Sequence, residues 1–271
     1  MFFIVFLTAL GLLHGYVGWR IFSDLGLNSS YALITIILVI IFTLLPILPI
    51  LFRYIGYESN LLDKLSFIGY TSLGFFFLSF LVFISKDLAI KAWGVVSSFF
   101  PADVKQQVTL DLEKRAFLQK SLSIGILSFI GPTTAYGFYS ARKGPSVIHQ
   151  TIFLDELPDS FEDFTIAQIS DLHVGPTIKK PYVEKVLNQI SIINPDLIAV
   201  TGDMVDGSID YLKKDLEPLS QMVAKHGTYF VTGNHEYYSG ADRWLDETNR
   251  MGFTNLVNEN KLITINEQNI V

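Results

Sequence analysis

The chain has 271 residues, of which 50% are hydrophobic and 17% are charged, and it contains no cysteine. This composition excludes an intrinsically disordered protein, and the lack of cysteine excludes disulfides, thiolate catalysis and Cys-ligated metal sites. Residues 1–140 carry 9 Lys+Arg and 7 Asp+Glu, a net charge of +2, whereas residues 141–271 carry 11 Lys+Arg and 19 Asp+Glu, a net charge of −8. We therefore expect the two parts to face different solvents, and the acidity of the second argues against nucleic-acid binding.

The first part contains four long apolar runs. They cover residues 2–22, 31–52, 65–84 and 121–139. Each has about the 20 residues that are needed to cross a bilayer core near 30 Å thick. The alternative, helices buried in a soluble core, requires shorter runs with polar faces. The pattern predicts a multi-pass α-helical membrane region over residues 1–140, with a cell membrane as its location and the lipid bilayer as a partner.

Two finer features concern this membrane region. Pro46 and Pro49 lie inside the second run and predict a kink, which bilayer helices tolerate. Leu88–Phe100 carries Lys91 and Trp93 and is too short to span, so it is predicted to lie at the membrane interface as a separate segment.

Basic residues near the ends of the runs predict the orientation. The loops after the first and third runs share one side, and their basic residues outnumber those of the other side, which are Arg53, Lys64, Arg142 and Lys143. The richer set consists of Arg20, Lys86, Lys91, Lys105, Lys114, Arg115 and Lys120. The positive-inside rule favours this set as cytoplasmic. The part that follows residue 140 is then expected to be extracytoplasmic.

The second part alternates strand-like and helix-like segments. Residues 141–162 form a linker with one short strand, Ile152–Leu154, and residues 163–271 form the following domain. Strands are predicted at 164–170, 197–201, 228–232 and 261–265, and helices at 182–192, 211–225 and 244–251. Alternation of this kind is typical of an α/β fold with a parallel sheet.

Polar side chains follow the carboxyl end of each of the first three strands. Asp171 and His173 follow the first strand, and Asp203 and Asp206 follow the second. Asn234 and His235 follow the third strand. Ligand sites of open α/β sheets form just beyond these strand ends, so the side chains are expected in one crevice. Carboxylate, imidazole and amide oxygen suit Mn, Fe, Zn or Mg, and two such cations can clamp a phosphate and activate a water.

Three sequence blocks carry a resemblance to a known family. Asp171-Leu-His173, Gly202-Asp203-Met-Val-Asp206 and Gly233-Asn234-His235-Glu236 resemble, in order and spacing, the first blocks of the calcineurin-like metallophosphoesterases. The surrounding sequence is similar to the branch of that family with N-terminal transmembrane helices. The resemblance implies a metallophosphoesterase-type α/β domain that binds two divalent metal ions.

The resemblance also implies a role for each matching position. Asp171 and His173 would hold the first metal, Asp203 would bridge both metals, and Asn234 would hold the second. His235 would stabilise the phosphate in the transition state or protonate the leaving group. Asp206 would orient His235 or its loop, although helix capping is an alternative for this residue. Glu236 stands where Asp is the commonest residue.

The family has three further His ligands, including a Gly-His-x-His block, which this sequence lacks. Its remaining histidines are His14, His149 and His226, and the last precedes the third strand at the opposite end of the sheet. We therefore expect the N-terminal part of a truncated domain. The predicted function is a membrane-anchored phosphoesterase that hydrolyses a phosphomonoester, phosphodiester or pyrophosphate, of a small molecule or a lipid such as a UDP-diacylglucosamine. The alternative is a catalytically inactive membrane protein with a residual metal- or ligand-binding domain.

Overall fold

The computed structural model describes residues 1–100 and 112–271, so that Lys105 lies outside the described residues. The chain divides into two compact units. The first, which we call the helical unit, comprises residues 1–54 and 64–139. The second, which we call the α/β unit, comprises residues 55–63 and 140–271.

Long apolar helices build the helical unit. They are α1 (Phe2–Asp24), α2 (Ala32–Leu44), α3 (Leu48–Tyr54), α4 (Asn60–Ser97, whose first residues belong to the α/β unit) and α5 (Leu112–Arg142). Within the described residues, three helical segments are long and apolar enough to cross a membrane, namely Ile4–Asp24, Ser29–Tyr54 and Asn60–Ser97. The first three predicted spans therefore coincide with candidate membrane helices. The fourth, 121–139, is helical within α5 but less apolar, because Thr, Ser, Tyr and Pro residues interrupt it; its crossing of the membrane stays a prediction.

The second span is broken at Pro46, as the sequence predicts. Helix α2 ends at Leu44 and α3 begins at Leu48, with a turn between them. Proline cannot donate a backbone hydrogen bond and collides with the preceding helical turn. Gly69 of α4 packs against this break, since a Cβ at Gly69 would lie 2.8 Å from the carbonyl oxygen of Leu45 and from the Pro46 backbone.

The expectation of a separate interfacial segment at Leu88–Phe100 is wrong. Helix α4 continues without a break from Asn60 to Ser97, a length of 38 residues. No proline lies between Ile84 and Ser97, so nothing stops the helix where its apolar run ends.

The α/β unit is built on a four-stranded parallel sheet. Its strands are β1 (Ile166–Ile169), β2 (Leu197–Val200), β3 (Thr228–Phe230) and β4 (Thr254–Asn255), in the order β1-β2-β3-β4. The helices are α6 (Lys180–Ile193), α7 (Ile209–Leu216), α8 (Asn234–Ser239) and α9 (Ala241–Arg250). Apolar side chains of α6, α7 and α9 pack with those of β2 and β3 into one core. Since the strands are parallel, their carboxyl ends lie at one edge of the sheet.

Three segments of this unit differ from prediction. Ile152–Leu154 is not a strand, and the helix predicted at 211–225 ends at Leu216, because Pro218 starts a 3-10 turn over Glu217–Gln221. The strand predicted at 261–265 is present as β5 (Ile263–Ile265), but it pairs antiparallel with β6 (Gln268–Ile270) instead of joining the parallel sheet. Asn266 and Glu267 adopt positive φ angles of 46° and 64° at the turn, which favours a tight hairpin.

Candidate metal centre

The loops after β1 and β2 run side by side at the carboxyl edge of the sheet. The backbone N–H of Asp171 donates to the Gly202 oxygen at 3.2 Å, and that of His173 donates to the Asp203 oxygen at 3.0 Å. Asp171, His173 and Asp203 have φ angles of 55°, 47° and 52°. Asp, Asn and His tolerate this left-handed conformation better than other residues with side chains. The backbone thus favours these residue types where the two loops turn.

Two glycines allow the loops after β2 and β3 to approach each other. Gly202 has a φ of +85°, and a Cβ there would lie 2.4 Å from the nitrogen of Gly233. A Cβ on Gly233 would lie 2.2 Å from Oδ1 of Asp203. Any larger residue at either position would push Asp203 away from its place. The Gly-Asp and Gly-Asn pairs of the sequence are therefore explained by close backbone packing.

His173, Asp203 and His235 bring potential metal ligands together. One ligand atom from each lies within 4.8 Å of the other two, and all three residues are half-buried. Nε2 of His173 is 3.7 Å from Oδ1 of Asp171 and 4.0 Å from Oδ2 of Asp203. Imidazole nitrogen and carboxylate oxygen are suitable ligands for Mn, Fe and Zn. The donor set fits a divalent cation.

Asp206 contacts both histidines of this cluster. Its Oδ1 lies 3.1 Å from Nδ1 of His173 and also contacts Nδ1 of His235. The two imidazole rings stand edge to face, with centroids 4.5 Å apart. Since a carboxylate only accepts hydrogen bonds, each Nδ1 that is bonded to it carries a proton, which leaves the Nε2 lone pair available. The side chain of Asp206 is thus engaged with the histidines, and helix capping does not describe its contacts.

The acidic surroundings raise the pKa of His173 above its ordinary value. Burial of the ring disfavours its charged form and acts in the opposite direction. The hydrogen bond to Asp206 and the negative charges of Asp206, Asp203 and Asp171 outweigh this effect. The cluster is therefore an electronegative pocket that favours a positive charge at its centre.

Glu236 organises the loops from below, a role that the sequence analysis missed. Its side chain is fully buried. Its Oε2 accepts hydrogen bonds from the backbone N–H groups of Asp203 at 2.9 Å and Gly233 at 2.7 Å, and its Oε1 accepts one from Met204 at 2.7 Å. A Glu three residues after a helix N-cap position is the sequence signal of this back-bonding, and Gly233 and Glu236 have that spacing.

The described geometry agrees with the comparison to known proteins. Residues 164–269 match the family model described as calcineurin-like phosphoesterase. This segment belongs to the calcineurin-like phosphoesterase family. All six strand-end residues of the site lie within the matched range. No match was found among solved structures.

Several relatives of this phosphoesterase segment are membrane proteins by name. A "transmembrane protein with metallophosphoesterase domain" of Danio rerio is 31% identical over 144 residues, 53% of this chain and 32% of the relative. An "uncharacterized metallophosphoesterase" of Helicobacter pylori is 30% identical over 183 residues, 68% of this chain and 46% of the relative. A "UDP-2,3-diacylglucosamine pyrophosphatase LpxG" of Chlamydia trachomatis is 29% identical over 131 residues, 47% and 40% respectively. The aligned chain spans less than half the length of these relatives.

The remaining predicted residues of the phosphoesterase segment lie around this cluster. Asp171 is adjacent to His173, and 67% of its side chain is exposed. Asn234 is exposed at the first position of α8. His226 lies before β3, where its backbone N–H donates to Asp196 and its ring packs 5.4 Å from that of Phe164. It is at the amino end of the strand, as the sequence predicts, and the strand-end residues lie at the other.

Proposed function

We propose that the chain is part of a membrane-anchored, metal-dependent phosphoesterase that hydrolyses a phosphomonoester, a phosphodiester or a pyrophosphate. The observation that carries this proposal is the convergence of His173, Asp203 and His235 at the carboxyl edge of a phosphoesterase-family sheet. Residues 1–140 would anchor the protein, 141–162 would link the parts, and 163–271 would belong to the hydrolytic domain. Candidate membrane helices in the same chain support the anchoring.

Two divalent cations, of Mn, Fe, Zn or Mg, are the proposed cofactors. Asp171 and His173 would hold one, Asn234 would hold the other, and Asp203 would serve both. When bound, such cations lower the pKa of a water and neutralise charge on a phosphate. The electronegative pocket around His173 supports cation binding, because it would offset the charge of the ions.

His235 and Asp206 are the proposed catalytic pair. Asp206 holds Nδ1 of His235, so Nε2 is the ring atom that remains free to exchange a proton or to contact a phosphate oxygen. In this role His235 stabilises the negative charge that develops on the phosphate, or protonates the departing oxygen. Asp206 keeps the ring in one orientation and tautomer, and it does the same for His173.

A lipid-linked phosphate or pyrophosphate is the proposed substrate class. The relative from Chlamydia trachomatis is named for cleavage of a diacylglucosamine nucleotide. Membrane helices in the same chain would hold the site near such lipids. We further propose that the hydrolytic domain is extracytoplasmic, as the basic residues indicate. Protease added to intact cells should then cleave it, and protection that ends only on lysis would contradict the assignment.

Hydrolysis of p-nitrophenyl phosphate and bis(p-nitrophenyl) phosphate with Mn²⁺ tests the activity. EDTA should abolish turnover, and added Mn²⁺ should restore it. Asp203→Asn should lower the rate by at least about a hundredfold, because a ligand that serves both cations loses its charge. Asp246→Asn changes an exposed carboxylate on α9 and is the matched control. Equal rates for Asp203→Asn and the unsubstituted chain would contradict the proposed mechanism.

A second candidate function is a non-catalytic membrane protein that binds a metal or ligand. Within the described residues, the one group of acidic and histidine side chains with metal-binding geometry is His173, Asp203 and His235, which suits a single cation. Mass spectrometry of the purified chain separates the candidates. One metal or fewer per chain, without turnover, favours the binding protein, and two metals with turnover favour the hydrolase.

A further inference from the structure

A cavity of the helical unit carries charges that the proposed hydrolysis does not use. It has a volume of about 240 Å³ and lies between α1, α4 and α5. Its polar lining consists of Arg20, Lys86, Asp87, Lys91, Arg115 and Gln119. We call it the basic cavity. It belongs entirely to the helical unit and is independent of the strand-end site.

The basic cavity lies where three apolar runs end. Arg20 directly follows the apolar part of α1, Lys86 directly follows that of α4, and Arg115 precedes that of α5. Trp19 and Trp93 are 55% and 60% exposed beside these positions. Tryptophan is enriched at membrane–water interfaces, where headgroups lie. The cavity is therefore placed at headgroup depth.

Two of the four basic side chains are already neutralised. Nε of Arg20 donates to Oδ2 of Asp87 at 2.7 Å, and Tyr16 donates to the same oxygen at 2.6 Å. Nζ of Lys86 lies 2.5 Å from Oδ2 of Asp24, which also accepts from a buried serine of α5. These buried pairs hold the three helices together and shape the cavity wall.

The other two basic side chains supply surplus charge. Within the described parts of the chain, neither Lys91 nor Arg115 forms an ion pair. Both are exposed, and Gln119 beside them can donate further hydrogen bonds. The lining therefore has two positive charges that no carboxylate offsets, next to a guanidinium that can bind phosphate in a bidentate manner.

We propose that the basic cavity binds the phosphate headgroup of an anionic phospholipid. Basic pockets between membrane helices are suited to such headgroups. A volume of 240 Å³ is below the range of about 300–1,000 Å³ typical of drug-sized ligands, so it admits a compact headgroup and leaves the acyl chains outside. The exposed apolar surface of the surrounding helices provides the contact for those chains.

The test measures binding of dihexanoyl phosphatidylglycerol to the chain in a neutral detergent, by calorimetry at a fixed ionic strength. The variant is Lys91→Gln with Arg115→Gln. The matched control is Lys114→Gln with Lys120→Gln, which removes two exposed positive charges from α5 outside the cavity. The cavity variant should bind roughly thirtyfold more weakly, the equivalent of about 1 kcal/mol for each basic side chain. The control should change the affinity by less than about threefold.

Further arms keep the result interpretable. The charge-preserving variant Lys91→Arg with Arg115→Lys should retain binding to within a few fold, which separates loss of charge from misfolding. Equal weakening in the cavity and control variants would assign the binding to general surface charge and overturn the proposal. Inorganic phosphate that binds as tightly as the lipid would identify a site for the free anion, and would likewise overturn the assignment to a lipid.

Discussion

The buried carboxylate of Glu236 accepts the backbone N–H of Asp203 at 2.9 Å. Glu236 lies in α8, after β3, whereas Asp203 follows β2. The same carboxylate also accepts the N–H groups of Met204 and Gly233. Three backbone donors of two loops thus share one negatively charged acceptor in the interior. The position of Asp203 in the metal centre depends on this arrangement.

Glu236→Gln should destabilise the centre. Glutamine has the same shape but places an NH₂ donor against backbone donors, so at least one buried N–H loses its acceptor. Such a loss costs about 1–3 kcal/mol. Thermal unfolding and Mn²⁺ titration of the chain should both report the change. Glu259→Gln, at an exposed position, is the control. Unchanged Mn²⁺ affinity in Glu236→Gln would show that the loops keep their places without this charge.

Asp206→Asn should weaken metal binding by about 10–100-fold, the usual effect of removing a partner that orients metal-ligating histidines. The physical reason is that one carboxylate oxygen contacts Nδ1 of both His173 and His235. An amide cannot attract two imidazole N–H groups as strongly as a carboxylate does. Calorimetric titration with Mn²⁺ measures the effect, and Asp246→Asn again serves as the control. If Asp206→Asn bound the metal as tightly as the unsubstituted chain, the orienting role would be excluded.

Glu58→Gln should loosen the loop that follows Asp206. Both oxygens of Glu58 lie 3.3 Å from the backbone nitrogen of Ser208, and the carboxylate also accepts from the Ser208 hydroxyl. Ser208 precedes α7 and makes no capping bond of its own. A hydrogen bond to a charged group contributes about 1.5–3 kcal/mol. We expect a lower melting temperature and a severalfold drop in hydrolysis.

The carboxylate can be tested by a conservative exchange at the other partner. Ser208→Thr keeps the hydroxyl and the N–H and should have little effect, whereas Ser208→Ala removes the hydroxyl alone and should cause part of the loss. A stability equal to that of the unsubstituted chain in both Glu58→Gln and Ser208→Ala would contradict this account.

Gly69→Ala should destabilise the helical unit. The added methyl would lie 2.8 Å from backbone atoms of Leu45 and Pro46, which cannot rotate away. Overpacking of this kind typically costs about 1–3 kcal/mol. Gly74→Ala, five residues further along α4, meets nothing within 4 Å and is the matched control. Thermal unfolding in detergent should therefore separate the two variants, and identical melting temperatures would contradict the close packing at the kink.

Local pattern made much of this architecture predictable. An apolar run of about 20 residues has few alternatives to a long helix, and Pro46 breaks that helix whatever surrounds it. The alternation of strands and helices fixes a parallel sheet, and parallel strands bring their carboxyl ends to one edge. That is why Asp171, Asp203 and His235 were expected together before any contact was known.

The sequence by itself determined which residues reach the centre, and the tertiary structure decided how they are held. Spacing along the chain cannot show that Asp206 serves two histidines, that Glu236 binds three backbone donors, or that Glu58 reaches Ser208 across 150 positions. Likewise, β5 turned back into a hairpin, because a strand's partner is chosen by the turn and the surface available to it. Hydrogen bonds and close packing depend on distances of a few ångström between segments remote in sequence, and only the folded chain sets those distances.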